Sequence, residues 1–142
     1  TMQSLTELYT GSEQKQFYEI LPELTELRTL SLWGGNFGTD LTIVSKLVNL
    51  QNLFVNDEFV TSLSGIENLQ RLEVFCMDGT NATDISPLTK LPRLQVVRLQ
   101  GVPIVAFAPL FSCHSLQEVE ADSSQKEKIE QLGDPVFMIF VE

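Results

Sequence analysis

Residues equipped for chemistry are few in this 142-residue sequence: two cysteines, Cys76 and Cys113, and one histidine, His114. Cys113 and His114 are neighbours, and with no further Cys or His they do not supply the ligand set of a zinc site. Two cysteines do not make a disulfide framework. Free thiols favour a reducing, cytoplasmic setting, with a secreted or surface-attached one the alternative if the chain belongs to a longer protein. Cys76 would act as a nucleophile only beside a base that lowers its pKa, and no spacing places one there. A nucleophile–base–orienter set would have to be built from carboxylates alone. The stretch Gly34-Gly35-Asn36-Phe37-Gly38 lacks the lysine and the following helix of a phosphate-binding loop. Asn81-Ala82-Thr83 has the form of a glycosylation acceptor, but Ala82 occupies a core position in the pattern described below. Neither an enzyme, a cofactor nor a metal is expected.

Charge narrows the partner. Nine Lys and Arg against 19 Asp and Glu leave a formal charge of −10, which repels nucleic-acid phosphates. The same charge suits a basic protein partner or simply keeps the domain soluble. The longest apolar run, residues 136–141, is six residues and far too short to cross a bilayer. The first residues carry no basic region followed by an apolar run, so a signal peptide is not expected. With 43% hydrophobic residues the chain can bury one continuous core, and it reads as a single domain over 1–142.

The elements that must position any site emerge from an internal repeat. Leu94, Val97, Leu99, Val102 and Ile104 return 22 residues earlier as Leu72, Phe75, Met77, Thr80 and Ala82. A second step gives Leu50, Leu53, Val55, Glu58 and Val60, and a step of 23 gives Leu27, Leu30 and Leu32. Further copies start at Leu5 and Leu116, so about six repeats begin near Leu5, Leu27, Leu50, Leu72, Leu94 and Leu116. The second half of each unit recurs too: Leu21, Val44, Ile66, Leu88, Leu110 and Leu132 share one position, and Leu24, Leu47, Leu69, Leu91 and Cys113 another. The first part of a unit alternates with the period of a short strand, and the remainder repeats every three residues, as in a 3₁₀ or α turn. One unit cannot bury its own apolar side. Stacked units align their strands as a parallel sheet over a shared core.

This pattern resembles the leucine-rich-repeat family across almost the whole chain. Residues 83–94, Thr-Asp-Ile-Ser-Pro-Leu-Thr-Lys-Leu-Pro-Arg-Leu, look like the 22-residue bacterial class of internalin-like proteins. The resemblance implies an α/β fold: a right-handed solenoid with a parallel sheet on the concave face and short 3₁₀ or α turns on the convex face. It also implies an asparagine nine positions into each unit, whose stacked amides bond the turn. Here that position holds Glu13, Gly35, Glu58, Thr80, Val102 and Ser124, so other bonds must hold the turns. Cys113, in a leucine position, is expected to be buried.

At the ends, residues 12–24 read as a helix with Pro22 near its close, because Phe17, Tyr18, Ile20 and Leu21 recur at helical spacing. Residues 125–132 read as a polar cap with Ile129 and Leu132 inward, broken by Gly133-Asp134-Pro135. Residues 136–141 read as a last capping strand, apolar on both faces, which is either covered or left as an open edge.

Function in such a solenoid would sit on the residues between the inward leucines, pointing from the concave sheet. In order they are Glu7, Tyr9, Gly11; Thr29, Ser31, Trp33; Asn52, Phe54, Asn56; Val74, Cys76, Asp78; Val96, Arg98, Gln100; and Glu118, Glu120, Asp122. Tyr9, Trp33 and Phe54 cluster on the first three strands, and aromatic and Arg side chains dominate interface hot spots. Arg98 is the lone base, with Asp78 and Glu120 near enough for a surface ion pair. The partner-binding candidates are therefore Tyr9, Trp33, Phe54, Asn56, Asp78, Arg98, Gln100 and Glu120. Packing of the aromatics on one another, or under a further segment, is the competing reading. These residues point to a protein-interaction module for a protein or peptide, with a basic flank to meet the acidic strand of Glu118, Glu120 and Asp122. The alternatives are an acidic inhibitor or immunity-type protein blocking a basic toxin or enzyme, and a structural spacer within a longer repeat array. Neither nucleic-acid binding nor membrane insertion is expected, and the sequence leaves the oligomeric state open.

Overall fold

A computed structural model describes residues 5–10, 16–34 and 37–142. Among the described residues seven strands form one sheet in sequence order, every pair parallel: β1 Glu7–Thr10, β2 Thr29–Trp33, β3 Asn52–Asn56, β4 Val74–Cys76, β5 Val96–Arg98, β6 Glu118–Ala121 and β7 Met138–Val141. Parallel neighbours cannot be joined by a tight turn, so each unit returns through a second wall. That wall consists of α1 (Phe17–Ile20), 3₁₀ turns at Leu21–Glu23, Thr42–Val44, Ile66–Asn68, Ser86–Lys90 and Ala108–Ser112, and α2 (Ser123–Glu130).

The core lies between the two walls and is built from the repeated positions. Leu27, Leu50, Leu72 and Leu94, the strand residues Leu30, Leu53, Phe75, Val97 and Val119, and the turn residues Leu21, Val44, Ile66, Leu88 and Leu110 are all buried. β2 and β3 bury alternate residues only, so the side chains between them stand on the opposite, open face of the sheet. Proline at the first turn positions of three return segments, Pro22, Pro87 and Pro109, suits these tight helices, where its missing N–H has no partner to lose. Asp40 and Asp84 start the Thr42–Val44 and Ser86–Lys90 turns by accepting the backbone N–H two residues on, at 3.0 and 2.8 Å. Gly65 has φ +114°, and a Cβ there would lie 2.3 Å from the Leu41 carbonyl oxygen, so only glycine lets adjacent units approach at this turn.

The turns lacking asparagine are closed by other donors. Thr80 Oγ1 donates to Met77 O at 2.8 Å, and Asn81 Nδ2 reaches back to Glu58 O at 2.8 Å. In the last full unit buried Gln125 does this work from the next element: its Nε2 donates to Leu99 O at 2.7 Å and Val102 O at 3.1 Å. Gln125 also closes a capping box with Asp122 at the start of α2.

Both ends differ from expectation. Instead of one helix over 12–24, the described part is the four-residue α1 followed by the Leu21–Glu23 turn; Pro22 cannot donate into an α ladder, and the chain tightens to 3₁₀. Residues 12–15 of that expected helix, together with Gly11 of the concave set and Gly35, lie outside the described residues. At the other end Ile129 is inward but Leu132 is 53% exposed, because α2 ends at Glu130 and Gly133, at φ +142°, turns the chain away. The final strand starts at Met138, not at 136: Val136 is exposed, while Phe137 is buried edge-on against Phe111, ring centroids 5.6 Å apart. Among the described residues no helix is long and apolar enough to cross a membrane.

Candidate functional site

The parallel register turns the sequence spacing into rows across the open face. One row runs Tyr9, Ser31, Phe54, Cys76, Arg98, Glu120, Phe140, and a second runs Glu7, Thr29, Asn52, Val74, Val96, Glu118, Met138. Trp33 and Asn56 form a third row two residues further along their strands. Successive strands are about 4.8 Å apart, so Tyr9 and Phe54 stand about 10 Å from one another across Ser31.

The aromatic residues are available to a partner. Trp33 is 55% exposed, Tyr9 is exposed and Phe54 is half-buried. The ring pairs among the described residues, Tyr18–Phe37 and Phe111–Phe137, lie elsewhere, so the face aromatics do not pack on one another. A hollow of about 300 Å³ opens between them and the centre of the sheet and is lined by Trp33, Phe54, Asn56, Cys76, Asp78 and Arg98, among others. It unites five of the eight residues expected from the sequence. Tyr9 stands to one side, Glu120 reaches the hollow through Arg98, and Gln100 is tied in by its backbone N–H, which donates to Asp78 Oδ1 at 3.0 Å.

Arg98 is the electrostatic centre. Its Nε meets Glu120 Oε2, within β6, at 2.5 Å and its Nη2 meets Asp78 Oδ2, two residues beyond β4, at 3.4 Å. Partial burial works against the charged guanidinium, but Cys76, Glu120 and Asp78 outweigh it, and the arginine pKa is raised above its ordinary value. With one cation between two carboxylates this cluster keeps a net negative charge, and Glu118 on β6 and Asp122 just after it add to it. Asp122 is also a structural group, accepting from Gly101 N at 3.2 Å and from Gln125 N at 2.9 Å.

Cys76 corrects the expectation of an outward thiol. It does sit in an outward row, but its neighbours cover it and it is buried. Burial, reinforced by the charge of Asp78, pushes its pKa up to about 11 despite opposing help from the Asp78 backbone amide and Arg98. A thiol in that state is protonated at neutral pH and is no nucleophile. Cys113 is buried as expected, lies 3.4 Å from Pro109 O, and is likewise raised to about 11 by burial. Among the described residues no group of three or more His, Cys, Asp or Glu could hold a metal ion.

Several face residues escaped sequence reasoning. Met138 and Phe140 extend the rows onto β7 because the last step, Glu118 to Met138, spans 20 residues rather than 22, so counting by the repeat misplaces them. Phe59, 60% exposed, stands on the loop after β3 beside Trp33; the Asp-x-Phe spacing of a side-chain-to-backbone turn was the available signal.

No family model and no curated protein sequence matches the chain. Solved structures do. A leucine-rich-repeat protein of Leptospira interrogans superposes with a TM-score of 0.78 at 24% identity, over 97% of this chain and 37% of that one. Internalin C2 of Listeria monocytogenes superposes with a TM-score of 0.70 at 20% identity, over 97% of this chain and 62% of that one. The chain is a leucine-rich-repeat solenoid. Its fold is similar to that of bacterial internalins, and it spans less than two thirds of either solved chain. A more distant likeness is a plant peptide hormone receptor solved in complex with RGF2, with a TM-score of 0.54 at 19% identity over 84% of this chain and 21% of that one. At such identities the leucine-rich-repeat scaffold is shared, and any site must be argued from this chain's own residues.

Proposed function

We propose that residues 1–142 act as one interaction domain that binds a protein or peptide across the open face of its sheet. Trp33 and Phe54 are the anchors, with Tyr9, Asn56, Asp78, Arg98, Gln100 and Glu120 around them. The observation that carries this reading is a Trp 55% exposed on a strand, beside a half-buried Phe and a hollow of about 300 Å³, with no ring among the described residues packed on either. Side chains offered from hydrogen-bonded parallel strands are already ordered, so a partner buries them at little entropic cost. The fold does carry a ligand of this class elsewhere, in the peptide hormone receptor complexed with RGF2. The excess of carboxylates around Arg98 and on β6 favours a partner with a basic flank.

The acidic half of the face also supports a second reading, an inhibitor or immunity-type role against a basic toxin or enzyme. Salt separates the two: a partner held mainly by charge is released between low and high ionic strength, whereas one anchored by Trp33 and Phe54 is retained. The test is capture from a lysate of the source organism by the wild type and by a Trp33→Ala/Phe54→Ala variant of unchanged circular dichroism. A partner held by the first and lost by the second is expected. Equal capture by both contradicts a site on this face.

A further inference from the structure

A second hollow opens over the rim where the strands run into the loops. It encloses about 540 Å³ and is lined by Trp33, Gly34, Asn56, Glu58, Phe59 and Gly79, with Asp57 beneath. Trp33 and Asn56 belong to both hollows, so the sheet face and the rim form one continuous surface.

Its two aromatic side chains are both more than half exposed, Trp33 at 55% and Phe59 at 60%. Neither is on a loosely held loop. Trp33 ends β2, paired with Asn56. Phe59 is presented by a turn in which the buried Asp57 accepts the Phe59 N–H on Oδ1 at 2.8 Å and the Val60 N–H on its carbonyl at 3.1 Å. The floor is kept open by glycine: Gly79 has φ +79°, and a Cβ there would lie 2.3 Å from Asn56 Oδ1. Glu58 stands exposed at the mouth, its backbone carbonyl held by Asn81 and its carboxylate in none of the ion pairs among the described residues. Among the described residues no lysine or arginine lines this hollow.

Two open aromatic faces alone would accept any apolar group, but a carboxylate beside them within a chain of charge −10 selects a cation. Among protein cations arginine fits best: its planar guanidinium stacks on indole and phenyl faces while its edge donates to a carboxylate. We propose that this rim hollow is the specificity pocket of the binding surface and takes an arginine side chain of the partner, stacked against Trp33 and Phe59 with its guanidinium on the Glu58 carboxylate. This rests on the reading of the chain as a protein- or peptide-binding module and adds what the partner must carry.

The chain's single tryptophan is Trp33, so its fluorescence reports on the pocket directly. The probe is acetyl-Gly-Arg-Gly-amide, titrated against the folded protein beside its citrulline and lysine counterparts. The arginine peptide is expected to give a saturable change in Trp33 emission at millimolar concentration, weakened at least about fivefold by citrulline, by lysine, by Glu58→Gln and by Phe59→Ala. Val136→Ala, at an exposed side chain that lines neither hollow, should leave it within about twofold. Equal responses to arginine and citrulline overturn the proposal, as does no saturable response or an unchanged response in Glu58→Gln. Lysine bound as tightly as arginine overturns the assignment to arginine. The two readings fail separately: loss of the arginine response leaves the sheet-face site standing if Phe54→Ala still releases the partner, and retention of the partner by Phe54→Ala leaves the arginine response intact.

Discussion

Gln125→Ala removes the side chain that replaces the missing asparagine in the last full repeat. Wild-type Gln125 is buried and makes three side-chain hydrogen bonds: Nε2 to Leu99 O and to Val102 O, and Oε1 from Asp122 N at 2.8 Å. Both carbonyls keep one backbone partner after truncation, since Val102 N donates to Leu99 O and Ile104 N to Val102 O. Each of those two losses therefore costs a net bond of about 0.5–1.5 kcal/mol rather than a full orphaning. Loss of the Asp122 N–H bond breaks the capping box of α2, worth about 1 kcal/mol more. The sum is about 2–4 kcal/mol, a large share of the 5–15 kcal/mol typical of a domain. Urea unfolding followed by circular dichroism measures it directly. Because repeats couple only to their neighbours, the loss is expected either as a lower midpoint or as an early transition confined to the C-terminal cap. A variant within about 1 kcal/mol of the wild type, with no early transition, would refute the idea that Gln125 closes this turn.

Three further outcomes are expected. Gly65→Ala, which forces a Cβ against the Leu41 carbonyl at a left-handed φ, should destabilise the fold by about 1–3 kcal/mol in the same urea assay. Because burial raises the folded-state pKa of Cys76 and Cys113 from 9.0 to about 11, an unfolded chain loses these protons first; stability should fall as pH rises from 9 to 11, with a shallower slope in Cys76→Ala. Both thiols should also react with iodoacetamide far more slowly at pH 8 than an unfolded cysteine, and rapid labelling of Cys76 in the folded protein would contradict its covered position.

The fold was legible because one rule generates it: a side chain that must be inward recurs at the same place in every unit, and the leucines at 27, 50, 72 and 94 are buried together. The ends were less legible because they leave the repeat. Pro22 tightens a helix that spacing alone would extend, and Gly133 turns Leu132 outward where periodicity points it inward. For the site, period-two alternation assigns the face correctly, so Trp33, Phe54 and Arg98 fall where expected. Alternation says nothing of what neighbours cover, and Cys76 lies beneath its neighbours in an outward row. It is equally silent on loops, and Phe59 is placed by the Asp57 turn rather than by the strand pattern.

The most direct test of the sheet face as the binding site is amide chemical-shift mapping of the isotope-labelled chain with its captured partner. Perturbations concentrated on β2 to β5, with the Trp33 indole N–H among the largest, are the result this account predicts. Perturbations confined to the opposite wall, at Thr42–Val44, Ile66–Asn68 and Ser86–Lys90, with the Trp33 indole unmoved, would contradict it.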